Sequence, residues 1–268
     1  TPPATSSAAS DVYKRQKSTS TFMFPIRDHN PSRRFPYITY TLILVNTLIF
    51  LSYWHILGDP SKINPFFQNW ALLPASISEG SSHLGLLTSI FLHGSFMHLL
   101  GNMLFLHIYG DNLEDKMGHF WFLTFYLCAG ICANLAQFVA DPYSSIPVIG
   151  ASGAVAAVMG GYLLLFPKAK IDILFIFVII FKIIPVRAWI VLGIWFVLQL
   201  YNGLAVPASV SGVAYWAHIG GFVFGILATL TTFNKLGGSD FWSKNHGAPD
   251  HEAATYSFRR TNIPKVTK

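Results

Sequence analysis

Three short stretches set reactive side chains inside otherwise apolar sequence. They are His93-Gly-Ser-Phe-Met-His98-Leu-Leu-Gly-Asn102, Gly150-Ala151-Ser152-Gly153 and Ala217-His218-Ile219-Gly220-Gly221. A serine becomes a useful nucleophile when a base takes its proton, and histidine is the common base. Ser152 and His218 can supply that pair. Acyl transfer also needs hydrogen-bond donors where negative charge develops on the carbonyl oxygen. The Asn102 amide, the His98 imidazole and the Ser152 backbone N–H can provide them, and His98 and Asn102, at i and i+4, share a helix face. None of the twelve acidic residues falls in these stretches, so the pattern suggests a Ser–His dyad rather than a triad. A metal centre fits poorly: H-E-x-x-H is absent, and no Asp or Glu is expected at membrane depth to complete a zinc set. Neither a metal nor a cofactor is expected.

These groups need elements to position them, and composition says which kind. Of 268 residues, 52% are hydrophobic and 11% charged, with mean hydropathy +0.46. A soluble domain carries about 25% charged residues. The balance argues against a disordered chain, a nucleic-acid-binding domain and an ordinary soluble enzyme, and for a multi-span membrane protein. Six apolar runs cover 37–57, 86–110, 119–140, 143–166, 188–208 and 210–233. A span needs roughly 20 such residues and must be helical in hydrocarbon. The expected fold is therefore all-α: six transmembrane helices over 37–233, between a flexible tail at 1–36 and a polar tail at 234–268. Residues 171–184 are apolar but short and contain Asp172 and Lys182, so they read as interfacial or re-entrant.

Basic residues orient this arrangement. With the N-terminus inside, 17 of the 18 Lys and Arg lie on the inner side, Lys62 being the exception. Both termini are then cytoplasmic. The second, fourth and sixth runs descend in parallel from the outer face. At 1.5 Å per residue, His98, Asn102, Ser152 and His218 all fall within roughly the outer third of the bilayer. Small residues recur at spacings of four: Ser152, Ala156, Gly160; Gly153, Ala157, Gly161; Ala217, Gly221, Gly225. Such stripes let membrane helices approach closely. Asn46, Thr47 and Gln199 read as interhelical hydrogen-bond partners, and Cys128 and Cys132 as small hydrophobes on one face. His55 and His107 read as interfacial or packing residues.

Taken together, the three motifs resemble the rhomboid family of intramembrane serine proteases, as do Gly101-Asn102-Met103-Leu104-Phe105 and the run from Gly110 to Gly118. Bacterial members share these runs, and the resemblance covers about 37–233. It implies a rhomboid-like bundle with Ser152 as nucleophile, His218 as general base, and His98 and Asn102 at the oxyanion. It places Gly150, Gly153, Gly221 and Gly225 at close helix contacts near the site. It also implies that 58–85 form a large loop partly in the membrane, and that substrate enters beside the fifth run. The activity implied is a serine endopeptidase cutting transmembrane proteins near the outer face, with the lipid bilayer and those substrates as partners and no nucleic acid. The location implied is a bacterial cytoplasmic (inner) membrane. The alternative is a non-catalytic rhomboid-like protein that binds membrane clients; a transporter is a more distant reading. Two positions depart from the family. Ala156 stands where an aromatic often packs on the catalytic histidine, and His107 where a tryptophan is often found. With alanine there, another ring (Phe222, or Tyr215 or Trp216) should fill the space, or His218 should be looser, and Ala156→Tyr should be tolerated.

Overall fold

The apolar runs fold into helices because a backbone in hydrocarbon has no partner for its N–H and C=O groups except itself. The computed structural model describes residues 22–81, 83–177, 180–206 and 212–249, with 252, 254 and 256. The strand β1 (Phe22–Asp28) comes first. Then follow α1 (Tyr37–Tyr53), α2 (Pro60–Trp70), α3 (Pro74–Ser78) and α4 (Gly85–Thr88). The long helices α5 (Phe96–Met117) and α6 (His119–Ala140) precede the central α7 (Ser152–Leu165). The strands β2 (Lys170–Phe177) and β3 (Ile180–Arg187) separate α7 from α8 (Ala188–Ala205), and α9 (Tyr215–Lys235) and α10 (Ser239–Asn245) complete the order.

Each of the six apolar runs carries a helix, but they are not six equal spans. Among the described residues, four helices are long and apolar enough to cross a bilayer: α1 with the short 3₁₀ turn after it, α6, α8 and α9. A fifth span results if α5 is joined to the short helical segment Gly85–Phe91 before it, across a bend of 91°. The helix of the fourth run, α7, has only 14 residues, about 21 Å at 1.5 Å per residue. It starts late because 143–151 are held in irregular, partly extended form. Val148 pairs with Leu72, and Gly150 adopts φ +125°. From Gly153 to Tyr162 every residue of α7 is buried. A helix apolar on every side belongs at the centre of a bundle, and α5, α6 and α9 surround it.

The acidic run after Gly110 has a structural use. Glu114, near the end of α5, accepts from the Ile38 and Thr39 backbone N–H groups at 2.8 Å and from Thr39 Oγ1 at 2.7 Å. The opening N–H groups of a helix have no internal partner, and Pro36 before α1 offers no side-chain cap. A carboxylate on a neighbouring helix supplies it.

The expected helical bundle is present, and a small sheet joins it: β1, β2 and β3 form an antiparallel sheet in that order. The re-entrant alternative for 171–184 is corrected: Lys170–Phe177 and Ile180–Arg187 are antiparallel strands, with Lys170 opposite Arg187 and Phe175 opposite Lys182. Its Ile- and Phe-rich sequence favours strand, and Pro185 is tolerated because β3 is an edge. The segments read as tails also contain ordered structure. Arg27 Nε donates to Asp172 Oδ2 at 2.7 Å, and His29 bridges Asp172 Oδ1 and the Ala254 carbonyl, both at 2.7 Å. The Arg27 guanidinium lies 3.7 Å from the Tyr256 ring centroid. Asp28 anchors the sheet to the bundle through Tyr162 Oη at 2.7 Å and Asn112 Nδ2 at 3.0 Å. Burial, and then the neighbouring Asp111, push its carboxyl up to about 8. In α10, Trp242 Nε1 donates to the Leu164 carbonyl at 3.0 Å, satisfying one of the free carbonyls at the end of α7.

Candidate active site

Three helices, α5, α7 and α9, begin at one cavity of about 400 Å³, so they run the same way through the bundle. Ser152 is the first residue of α7. The Gly150 N–H donates to the Ser89 carbonyl at 2.9 Å, which fixes the turn into the helix. The Ser152 N–H is one of the opening N–H groups that no helical carbonyl can satisfy, at the positive end of the helix dipole.

His218 lies in the first turn of α9 and reaches Ser152 directly, with Nε2 to Oγ at 2.8 Å. Its other nitrogen, Nδ1, is 2.8 Å from Gln199 Oε1 on α8. An amide oxygen only accepts, so Nδ1 carries the proton and donates. Nε2 is then the acceptor, and Ser152 Oγ–H donates to it. That is the orientation a general base needs.

His98 and Asn102 reach the same cavity from α5. A Cβ on Gly150 would stand 2.7 Å from His98 Nε2 and 3.5 Å from Ser152 Oγ. The missing side chain and the positive φ at Gly150 thus let the imidazole sit beside the serine. Asn102 Nδ2 is buried and has no hydrogen-bond partner among the described residues. A buried donor without a partner is costly, and here it lines the cavity that holds Ser152. His93 packs behind, its ring 5.1 Å from that of His98.

Two residues of α6 hold this corner together. Asn134 Nδ2 donates to the Leu86 carbonyl and to Ser89 Oγ, both at 2.8 Å. Gln137 Oε1 accepts from the Ala217 N–H at 3.3 Å. On the other side, the expected close helix contacts lie between α7 and α9. A Cβ on Gly221 would run into the Gly153 carbonyl oxygen, and one on Gly225 into the Ala157 carbonyl oxygen. A Cβ on Gly153 would stand 2.5 Å from the Ala133 Cβ of α6 instead, whereas Gly150 is a loop residue that makes room for His98.

The rhomboid domain model matches residues 81–235, more than half of the chain. The chain belongs to the rhomboid family. Rhomboids are typically intramembrane serine proteases. Similar relatives include "Rhomboid protein 1, mitochondrial" of Saccharomyces cerevisiae, 29% identical over 194 residues, 71% of this chain and 51% of that protein. "Putative rhomboid protease YdcA" of Bacillus subtilis is 38% identical over 78 residues, 29% of this chain and 39% of that one. "Presenilin-associated rhomboid-like protein, mitochondrial" of Homo sapiens is 28% identical over 137 residues, 50% of this chain and 34% of that one. The chain therefore spans about half the length of these relatives or less.

Four further residues belong to this site. Asn134 and Gln137 carry no motif in the sequence, and Gln199 is the expected interhelical hydrogen-bond partner, here of His218. The fourth is Trp195, whose ring centroid lies 5.9 Å from that of His218. It occupies the role sought for Phe222, which stacks instead on Phe196 at 4.6 Å and contacts Trp195. Tyr215 meets His218 edge-on at 6.5 Å. His218 is thus bracketed by rings rather than loose. His107 is exposed and lies 6.0 Å from Tyr40, away from the site. The expectation for Ala156 changes accordingly. Ala156 is 1% exposed, one turn from Gly160, where an added Cβ would run into the Phe222 carbonyl oxygen. We expect Ala156→Tyr to destabilise by about 3 kcal/mol, the upper part of the overpacking range. Thermal unfolding in detergent checks this; a wild-type midpoint would show room that the packing denies.

Proposed function

We propose that this rhomboid is an intramembrane serine endopeptidase acting through the Ser152–His218 dyad. The observation that carries the reading is the 2.8 Å contact from Ser152 Oγ to His218 Nε2, facing a cavity that also holds the unpartnered Asn102 amide. His218 Nε2 takes the Ser152 proton as Oγ adds to a peptide carbonyl. The oxyanion is received by the Ser152 N–H, Asn102 Nδ2 and His98. The imidazolium then gives its proton to the departing amine, leaving an acyl-serine that water hydrolyses by the same steps reversed. The substrate class is transmembrane proteins whose helix can open at the level of the cavity, within the lipid bilayer. The 17-to-1 split of basic residues supports placing both termini on the inner side of the membrane, so cleavage falls near the outer face.

The test is incubation of purified protein with a labelled single-span substrate, beside Ser152→Ala. A discrete product from the parent and none from the variant is expected. Cleavage persisting in the variant sinks the mechanism, whereas tight binding of substrate without cleavage by the parent favours a client-binding role.

Asn102→Ala isolates the oxyanion term. Loss of one such donor costs about 3 kcal/mol, so kcat should fall roughly 100-fold with KM nearly unchanged. An equal fall in folded yield and in activity would assign Asn102 to packing.

A further inference from the structure

The base of the Ser152–His218 dyad has a second hydrogen-bond neighbour. Gln199 Oε1 lies 2.8 Å from His218 Nδ1, on the side of the ring opposite Ser152. One turn earlier on the same helix, Trp195 lies against the same imidazole, its ring inclined by 35°. Residues at i and i+4 share a helix face, so α8 presents two orienting groups to one ring. We propose that Gln199 is the positioning residue of His218: its amide oxygen holds the Nδ1–H tautomer and so leaves Nε2 free to take the Ser152 proton. This proposal rests on the Ser152–His218 reading above.

A neutral imidazole carries one proton, and the partner of one nitrogen decides which nitrogen has it. With the proton on Nε2, that nitrogen cannot accept from Ser152 and the dyad is idle. His98, the other imidazole at the cavity, lies on the serine side and does not face Nδ1 in any described contact. The Ser152 hydroxyl can donate or accept, so it cannot choose the tautomer by itself. Gln199 can, because the atom it aims at Nδ1 accepts only. Gln199 does so as an uncharged group at membrane depth, where a carboxylate would be expensive. Its other described neighbours give it no competing bond. On the opposite face of α8, Ile194, Val197, Leu198 and Tyr201 are exposed to the surroundings of the bundle. Gln199 is the polar exception on that stretch and points the other way, to His218.

The test compares three variants in the same detergent-solubilised preparation with the same transmembrane substrate. Gln199→Ala removes the acceptor and should lower kcat by about 10- to 100-fold with KM within twofold. That is less than the roughly 10⁴-fold loss when a charged orienting carboxylate is replaced, because the amide carries no charge. Gln199→Glu keeps an acceptor oxygen at the same reach and should recover at least tenfold over Gln199→Ala. Gln199→Leu keeps the volume but not the acceptor and should stay as weak as Gln199→Ala. A packing role predicts the reverse order, with Gln199→Leu near the parent and Gln199→Glu poor; that order overturns the proposal, as does Gln199→Ala within threefold of the parent. If Gln199→Ala folds poorly, the ranking of Gln199→Glu against Gln199→Leu still decides. Ser152→Ala run alongside separates the two levels. If it remains active, the dyad reading has failed; if it is inactive while the Gln199 variants match the parent, only the role of Gln199 has failed.

Discussion

Ser152→Ala, His218→Ala and the double variant should each lower turnover by about 10⁴- to 10⁶-fold, and the double should be no worse than the singles. Residues that act as one unit lose the whole effect when either is removed. The 2.8 Å contact between Ser152 Oγ and His218 Nε2 makes them such a unit. A fluorophosphonate should label the parent at Ser152, because only a base-activated hydroxyl reacts readily. It should label neither single variant at a comparable rate. Losses that add in the double variant would mean that the two side chains act separately, whatever their distance. Labelling that survives Ser152→Ala would move the nucleophile elsewhere.

The second large effect concerns the seam between α7 and α9. Gly225→Val should cost well over the 1–3 kcal/mol typical of overpacking, enough to remove most folded protein. A Cβ at 225 would run into the Ala157 carbonyl oxygen and stand 2.6 Å from both Ala157 C and Cα. A crowded side chain can rotate away, but this neighbour is helix backbone and cannot. Relief requires the two helices to part, and Gly221 against Gly153 shows that the same closeness continues toward the site. Since Ser152 opens α7 and His218 lies at the start of α9, parting the helices also separates the dyad. Gly193→Ala on α8 is the control: nothing lies within 4 Å of its Cβ, so it should unfold like the parent. Thermal unfolding and fluorophosphonate labelling report the two consequences separately. A parent-like midpoint for Gly225→Val would contradict the backbone contact.

What could be read from the sequence follows from where the signal lay. Ser152, His218, His98 and Asn102 stood out because polar residues are rare in apolar runs and theirs fell at a common depth. The small-residue spacing pointed to helices in backbone contact for the same reason: it repeats within each helix. Trp195 had no such mark, and Gln199, marked as a polar residue in an apolar run, pointed to an interhelical hydrogen bond but not to its partner. They lie in an apolar run without a motif, and which way they face depends on how α8 is rotated against α9. No local pattern specifies that rotation. The sheet was hidden differently. Arg27 and Asp172, joined at 2.7 Å, lie 145 residues apart, and β1 is a short strand with Pro25 inside a polar segment. A pairing of that separation exists only once the helices have brought the hairpin to it. The late start of α7 was likewise invisible, because it depends on Leu72 holding Val148 from a distant loop.

The hairpin base has a mechanical meaning for α8. Lys170 and Arg187 pair at its foot, and the Ala188 and Trp189 N–H groups donate to the Ala169 and Pro167 carbonyls at 2.8 and 3.0 Å. Beyond that foot only Ala188 and Leu192 of α8 are buried. The helix is therefore a lever, clamped at one end and lightly held along its length. Gln199 stands eleven residues from the clamp, about 16 Å along the arm at 1.5 Å per residue, so a tilt of only about 10° carries it about 3 Å. That displacement equals a whole hydrogen bond. A motion too small to alter the bundle's outline is thus large enough to connect or disconnect the imidazole from its orienting amide.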